Sequence, residues 1–182
     1  MTPDRQLDPE SLGDHIDRLY RAAWGLCGSR EEAEDLVQET FLRVLRKPRL
    51  LRSEDDIGYL LRVLRNTFFS ARRTAARRPQ TAPLPEEDNL MEDASGFAAP
   101  ERAVETAELY AAIAELPDDF KDALVAIDVV GMSYREAARA LRVREATITT
   151  RLHRARARIA KTLVSQSGEG PSTPRASAAR KR

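Results

Sequence analysis

The sequence predicts an all-α protein made of two small helical domains joined by a flexible linker, the C-terminal one a helix-turn-helix. Three observations carry this expectation. Apolar residues recur at helical spacing through two separate blocks, and no stretch alternates at the period of a strand. Between the blocks the pattern stops, and Pro79, Pro83, Pro85 and Pro100 accompany a cluster of acids. The composition is 42% hydrophobic but only 5% aromatic, which suits bundles rich in Ala, Leu and Val. The expected limits are 10–78 for the first domain, 79–100 for the linker, 101–164 for the second domain and 165–182 for a disordered basic tail.

The first helix is expected from about Leu12 to Leu26, with Ile16, Leu19, Tyr20, Ala23 and Trp24 at helical spacing and Gly25 and Gly28 bracketing its end. Ser29 and Glu32 then form a capping box, each satisfying an amide at the start of a second helix. That helix carries the apolar stripe Ala33, Leu36, Val37, Phe41, Val44 and Leu45, and Pro48 stops it. A third helix is expected from near Ser53 to about Arg78, on Ile57, Leu60, Leu61, Leu64 and Phe68. The second block starts near Glu101, and Leu109, Ile113 and Leu116 end its first helix. Pro117 opens the next, at a position where its missing N–H leaves no helical bond unmade. That helix carries Ala123, Leu124, Ile127 and Val130 and stops at Gly131.

The remaining stretch, "GMSYREAARALRVREATITTRLHRARARI", holds the helix-turn-helix. Ser133 and Glu136 form a second capping box, and Tyr134, Ala137, Ala138 and Leu141 give a short helix one buried side. After the turn "RVR", the next helix puts Ile148, Leu152, Ala155 and Ile159 on one face. Thr147, Thr150, Arg151, Arg154 and Arg158 fall on the other. Arginines near the start of such a helix reach base edges, and later ones neutralise phosphates. The competing reading is a solvated surface helix, against which Glu145 is the one acid among these cations. Arg142 stands where such a turn often uses glycine, so a left-handed backbone there would be strained.

Net charge is only +1, but the charges are sorted. From Ile57 to Pro85 there is no acid, while Arg62, Arg65, Arg72, Arg73, Arg77 and Arg78 all fall there. The linker and the start of the second block are acidic, and the last helix is basic again. Cys27 is the only cysteine, which rules out an internal disulfide and favours a reducing compartment. The charged N-terminus lacks the apolar core of a signal peptide, and no apolar run is long enough to span a bilayer. The expected location is the cytoplasm, with no membrane partner. Two isolated histidines and one cysteine make no metal site. No catalytic triad, phosphate-cradling loop or paired carboxylates are present, so neither a cofactor nor enzymatic activity is expected.

"DLVQETFLRVLR" (Asp35 to Arg46), "YLLRVLRN" (Tyr59 to Asn66), "LPDDFKDALVAIDVVGMSYREAARAL" and "RLHRAR" (Arg151 to Arg156) occur in this order. Together they resemble the extracytoplasmic-function (ECF) sigma factors of the sigma-70 family, over roughly Leu12 to Leu163. The resemblance implies a region 2 domain that reads the −10 promoter element and a region 4 domain that reads the −35 element. It also implies core RNA polymerase as partner, through the clamp of the largest subunit and the beta subunit, and promoter DNA. Many relatives are held inactive by an anti-sigma factor.

Placed on this sequence, the polymerase-binding segment contributes Asp35, Gln38, Glu39 and Phe41, with Phe41 facing the bundle and the others projecting outward. The −10 surface would use Arg62, Arg65, Asn66, Arg72, Arg73, Arg77 and Arg78, since cations track phosphates and polar or aromatic groups hold unstacked bases. Phe68 and Phe69 are candidates there, with core packing expected for at least one. Asn66 and the loop "RLLRSEDD" would hold a flipped base, offsetting an extrusion cost of a few kcal/mol. The −35 surface would use Arg144, Thr147, Thr149, Thr150, Arg151, Arg154 and Arg158. The sequence departs from the family pattern at Tyr59, where Trp is usual, and at Ser70, where Asp is common. In the last helix Ala146 stands for Gly, Thr149 for Lys and Thr150 for Ser. Losing that lysine removes one cation near DNA. The alternative is a stand-alone helix-turn-helix regulator with an N-terminal sensor or dimerisation domain, for which an acid-free arginine helix has no evident use.

Overall fold

A computed structural model describes residues 5–7, 10–47, 50–51, 55–77 and 100–167. Two helical bundles pack directly against each other. The first holds α1 (Ile16–Cys27), α2 (Arg30–Arg46) and α3 (Asp56–Arg77), preceded by a 3₁₀ segment, Glu10–His15. The second holds α4 (Pro100–Ala114), α5 (Asp118–Leu124), α6 (Tyr134–Leu141) and α7 (Glu145–Ser167). Residues 78–99, covering the expected linker and Arg78, lie outside the described residues, as does the tail beyond Ser167. So do Arg49, Arg52, Ser53 and Glu54 of the loop expected to hold a flipped base. Among the described residues the strand structure is a two-residue antiparallel pairing, Arg5–Gln6 with Leu50–Leu51.

Local chemistry sets most helix ends. Ser29 caps α2, its hydroxyl accepting from the Glu32 amide at 3.3 Å. The Asp55 carboxylate accepts from the Gly58 amide at 2.9 Å at the start of α3. Pro117 is the residue before α5 rather than its first turn. The Ser133–Glu136 capping box opens α6 with both of its bonds present. α5 runs on into a π-helical turn, Val125–Val129, before Gly131 ends it at φ 78°. Asp128 in that turn pairs with Arg156 through two bonds of 2.6 and 2.9 Å, tying it to α7.

Each bundle has an apolar centre. Leu19, Ala22, Ala33, Leu60 and Leu64 are completely buried in the first, and Ala123, Ala126, Ala137, Ile148 and Ala155 in the second. The buried hydroxyls of Thr40 and Thr67 donate back to Leu36 and Val63 carbonyls, so neither is left unsatisfied.

The bundles meet along α1 and α3. Trp24 of α1 stacks on Tyr110 of α4, with ring centroids 4.1 Å apart and planes inclined by 5°. A Cβ on Gly25 would come 3.0 Å from Val125, and one on Gly28, whose φ is 86°, would come 2.8 Å from Ala114. The two glycines thus let α1 approach the second bundle more closely than any side chain would allow. Arg18 donates to the Val130 carbonyl at 3.0 Å across the same seam.

Candidate nucleic-acid interfaces

On α2, Leu36 and Val37 are buried and Phe41 packs partly against the core. Asp35 and Gln38 are exposed. Glu39 accepts from Arg43 at 2.7 Å, an i,i+4 pair, so part of its charge is answered within the helix. Leu42 and Leu45 are also exposed, at 46% and 50%, although helical spacing placed Leu45 in the buried stripe. The spacing assigned both sides of a broad stripe to the core, and the bundle covers only one.

α3 presents its cations unevenly. Asn66, Arg73 and Arg77 are exposed. Arg62 is partly buried and donates to the Ala140 and Arg139 carbonyls at 3.3 and 3.4 Å, at the C-terminal end of α6. Arg65 pairs with Asp122 of α5 at 2.6 Å, and Asp122 is only 4% exposed. Burial pushes the Asp122 carboxyl up, against the lowering effect of Arg65. Arg72 pairs with Asp118 at 3.2 Å. Phe68 is buried, meeting Phe69 edge-on, and the cations of Arg72 and Lys121 lie 5.5 and 5.7 Å from its ring centre. Lys121 is itself buried, and desolvation lowers its pKa.

The second interface is the helix-turn-helix of α6 and α7. Arg142 sits in the turn at φ 57°, ψ 44°, the one non-glycine with positive φ among the described residues. The Val143 amide reaches the Ala138 carbonyl at 3.0 Å, a closing bond that requires this left-handed residue. On α7, Ile148, Leu152, Ala155 and Ile159 are buried, while Thr149, Thr150, Arg154 and Arg158 are exposed, as is Arg144 before the helix. Thr147 is half-buried. Thr149 and Thr150 donate to the Glu145 and Ala146 carbonyls, leaving their methyls and hydroxyl lone pairs to face outward contacts. Arg151 pairs with Asp119 at 2.7 Å, and Arg158 lies over the Phe120 ring at 5.3 Å. Asp118, Asp119 and Asp122 fall within the stretch "LPDDFKDALVAIDVVGMSYREAARAL" but were not among the site residues expected from the sequence.

Burial, helped by Glu32, pushes the Cys27 thiol up to about 12. Among the described residues no cluster of His, Cys, Asp and Glu could hold a metal, and no helix is long and apolar enough to cross a membrane.

Two helical modules, each with a cationic helix and the second a helix-turn-helix, define a two-module DNA-binding protein. Residues 12–78 match the Sigma-70 region 2 family, and residues 106–159 match the Sigma-70, region 4 family. The chain is 35% identical over 162 residues to the ECF RNA polymerase sigma factor SigE of Mycolicibacterium smegmatis, covering 88% of this chain and 63% of that protein. It is 32% identical to EcfG of Rhodopseudomonas palustris over 82% of this chain and 83% of that one. It is 33% identical to SigM of Mycobacterium tuberculosis over 88% and 79%. The sigma factor RpoE of Bartonella quintana, solved with the anti-sigma factor NepR, superposes with a TM-score of 0.65 at 25% identity, over 86% of this chain and 98% of that one. The chain belongs to the ECF sigma factors of the sigma-70 family, which are transcription initiation factors. Because the matches run through both halves in order, a stand-alone regulator is not favoured.

Proposed function

We propose that this chain docks on core RNA polymerase and directs promoter recognition, DNA melting and initiation, carrying out no chemical step itself. The observation that carries this reading is the pairing of an exposed acid–amide face on α2 with a cationic helix in each module. Asp35, Gln38 and Glu39, seated by Phe41, meet the clamp of the largest subunit, and the second module reaches the beta subunit. Arg62, Arg65, Asn66, Arg72, Arg73, Arg77 and Arg78 serve the −10 element. Arg144, Thr147, Thr149, Thr150, Arg151, Arg154 and Arg158 serve the −35 element. The protein acts in the cytoplasm, and its similarity to a sigma factor solved with an anti-sigma factor supports such a partner here.

The test of polymerase docking is a charge reversal. Asp35→Arg with Glu39→Arg should abolish co-purification with core polymerase while helicity by circular dichroism stays unchanged, because the face carries no core packing. Retained binding by the reversed variant would show that α2 is only solvated surface.

A further inference from the structure

The start of α7 carries a surface that can accept hydrogen bonds but has no proton left to donate. Ala146, Thr149 and Thr150 are exposed and stand at i, i+3 and i+4, so they share one face of the first turns of the helix. A threonine hydroxyl has one proton and two lone pairs. Here each proton is already committed: Thr149 donates to the Glu145 carbonyl at 3.1 Å and Thr150 to the Ala146 carbonyl at 3.0 Å. Such bonds run back along the helix and leave a methyl and an unused lone pair on each side chain. Ala146 adds a methyl and no polar side-chain atom. Donors lie at the border of this face, on Arg144 before the helix and on His153 and Arg154 one turn further, all exposed.

In the major groove guanine offers only acceptors, N7 and O6, whereas adenine and cytosine offer an amino group and thymine a methyl. We infer that Ala146, Thr149 and Thr150 form a donor-free reading patch, which accepts from adenine or cytosine, packs on thymine methyls and rejects guanine on the strand it meets. The inference rests on the reading of α7 as the −35 helix and adds the base chemistry that this helix selects. Guanine opposite the patch sets acceptor against acceptor. Turning either hydroxyl towards it gives up the bond to Glu145 or Ala146. Guanine contacts fall instead to the guanidinium groups beside the patch, which donate in pairs.

The test is selection from duplexes that carry a randomised upstream stretch, by the full-length chain alone and by the chain assembled with core RNA polymerase. Bound duplexes are sequenced and base frequencies compared with the input. Thr149→Gln and Thr150→Gln, made singly, each add an uncharged donor. Thr149→Val and Thr150→Val keep the branched shape and remove the lone pair. Both positions are exposed, so no core packing is lost. Bases whose preference moves in a glutamine variant mark where that threonine reads. At those bases wild type should deplete guanine about tenfold against the favoured base, and the glutamine variant should restore guanine to within about threefold. The valine variant should shift the preference towards thymine and still reject guanine.

Guanine favoured by wild type at a base that a glutamine variant moves overturns the proposal. So does a result in which neither glutamine variant changes any base preference, with helicity retained, because the threonines then read nothing. Failure to assemble with polymerase, with selection by the free chain intact, would sink the initiation-factor reading and leave the patch standing. Assembly and promoter-dependent transcription with base preferences that ignore both threonines would do the reverse.

Discussion

Replacing Arg142 with glycine separates two roles that one residue fills. The backbone there is left-handed, at φ 57° and ψ 44°. For a residue with a Cβ that conformation costs about 1–2 kcal/mol. Glycine removes the cost but enlarges the unfolded ensemble, a loss of about 0.4–1 kcal/mol. The difference leaves Arg142→Gly more stable by about 0.5–1 kcal/mol. In a chain of this size that raises the Tm by roughly 1–4 °C. The side chain is exposed and makes no ion pair among the described residues, so nothing packed is lost. Arg142→Ala removes the same charge but keeps the Cβ, and it should show no gain. Both variants should weaken duplex binding to a similar degree, since each removes one cation beside the recognition helix. Differential scanning calorimetry at matched concentrations measures the first effect, and a salt titration of duplex binding measures the second. If the glycine variant is no more stable than the alanine variant, the turn is not strained and the reasoning fails.

Arg151→Ala should lose on the order of 1–3 kcal/mol of holoenzyme binding and relax base preference at the −35 element, whereas Arg158→Ala should weaken all sequences alike and lower the salt slope. Affinities across −35 variants at several salt concentrations distinguish them, and uniform scaling in both would mean that Arg151 reads no base. Trp24→Ala should cost about 3–5 kcal/mol of stability, read by urea unfolding followed by circular dichroism, because a buried ring is lost between two bundles. Cys27 should react with a thiol reagent at pH 8 roughly a thousandfold more slowly than a free cysteine, since its thiol is pushed up to about 12; rapid labelling of the folded chain would contradict its burial. Hydrogen bonds from Ser133 hold the Glu136 carboxyl below the ordinary range. Its folded pKa is lower than its unfolded one, so its contribution is full above the unfolded value and fades as pH falls through the folded one. Glu136→Gln should therefore destabilise at neutral pH and approach wild type in acid, by thermal unfolding across pH.

What the sequence made legible was local. A serine followed three residues later by glutamate is a cap wherever it occurs, and both Ser29 and Ser133 do that work. Helical spacing assigned Ile148, Leu152, Ala155 and Ile159 to the core because one α-helix face repeats without interruption. The strain at Arg142 was legible because the turn needs a left-handed residue and arginine stands there. The π-helical turn at Val125–Val129 escaped because its apolar run fits an α-helix equally well. Leu45 was misplaced for a related reason, as periodicity gives a face but not how much of it a neighbour covers. The seam was invisible for a deeper reason. Arg65 and Asp122 are 57 positions apart, and no spacing rule couples them. Gly25 and Gly28 read as the end of a helix, yet they also clear the approach of the second bundle.

The central claim is that this chain confers promoter-dependent initiation on a polymerase that lacks it. Run-off transcription from a library of promoter fragments, with core RNA polymerase alone and with the chain added, measures this directly. The account predicts discrete transcripts from a subset of promoters only when the chain is present, and their loss with the Asp35→Arg, Glu39→Arg variant. No transcript above the level of core polymerase alone, with a folded chain bound or unbound, would contradict it.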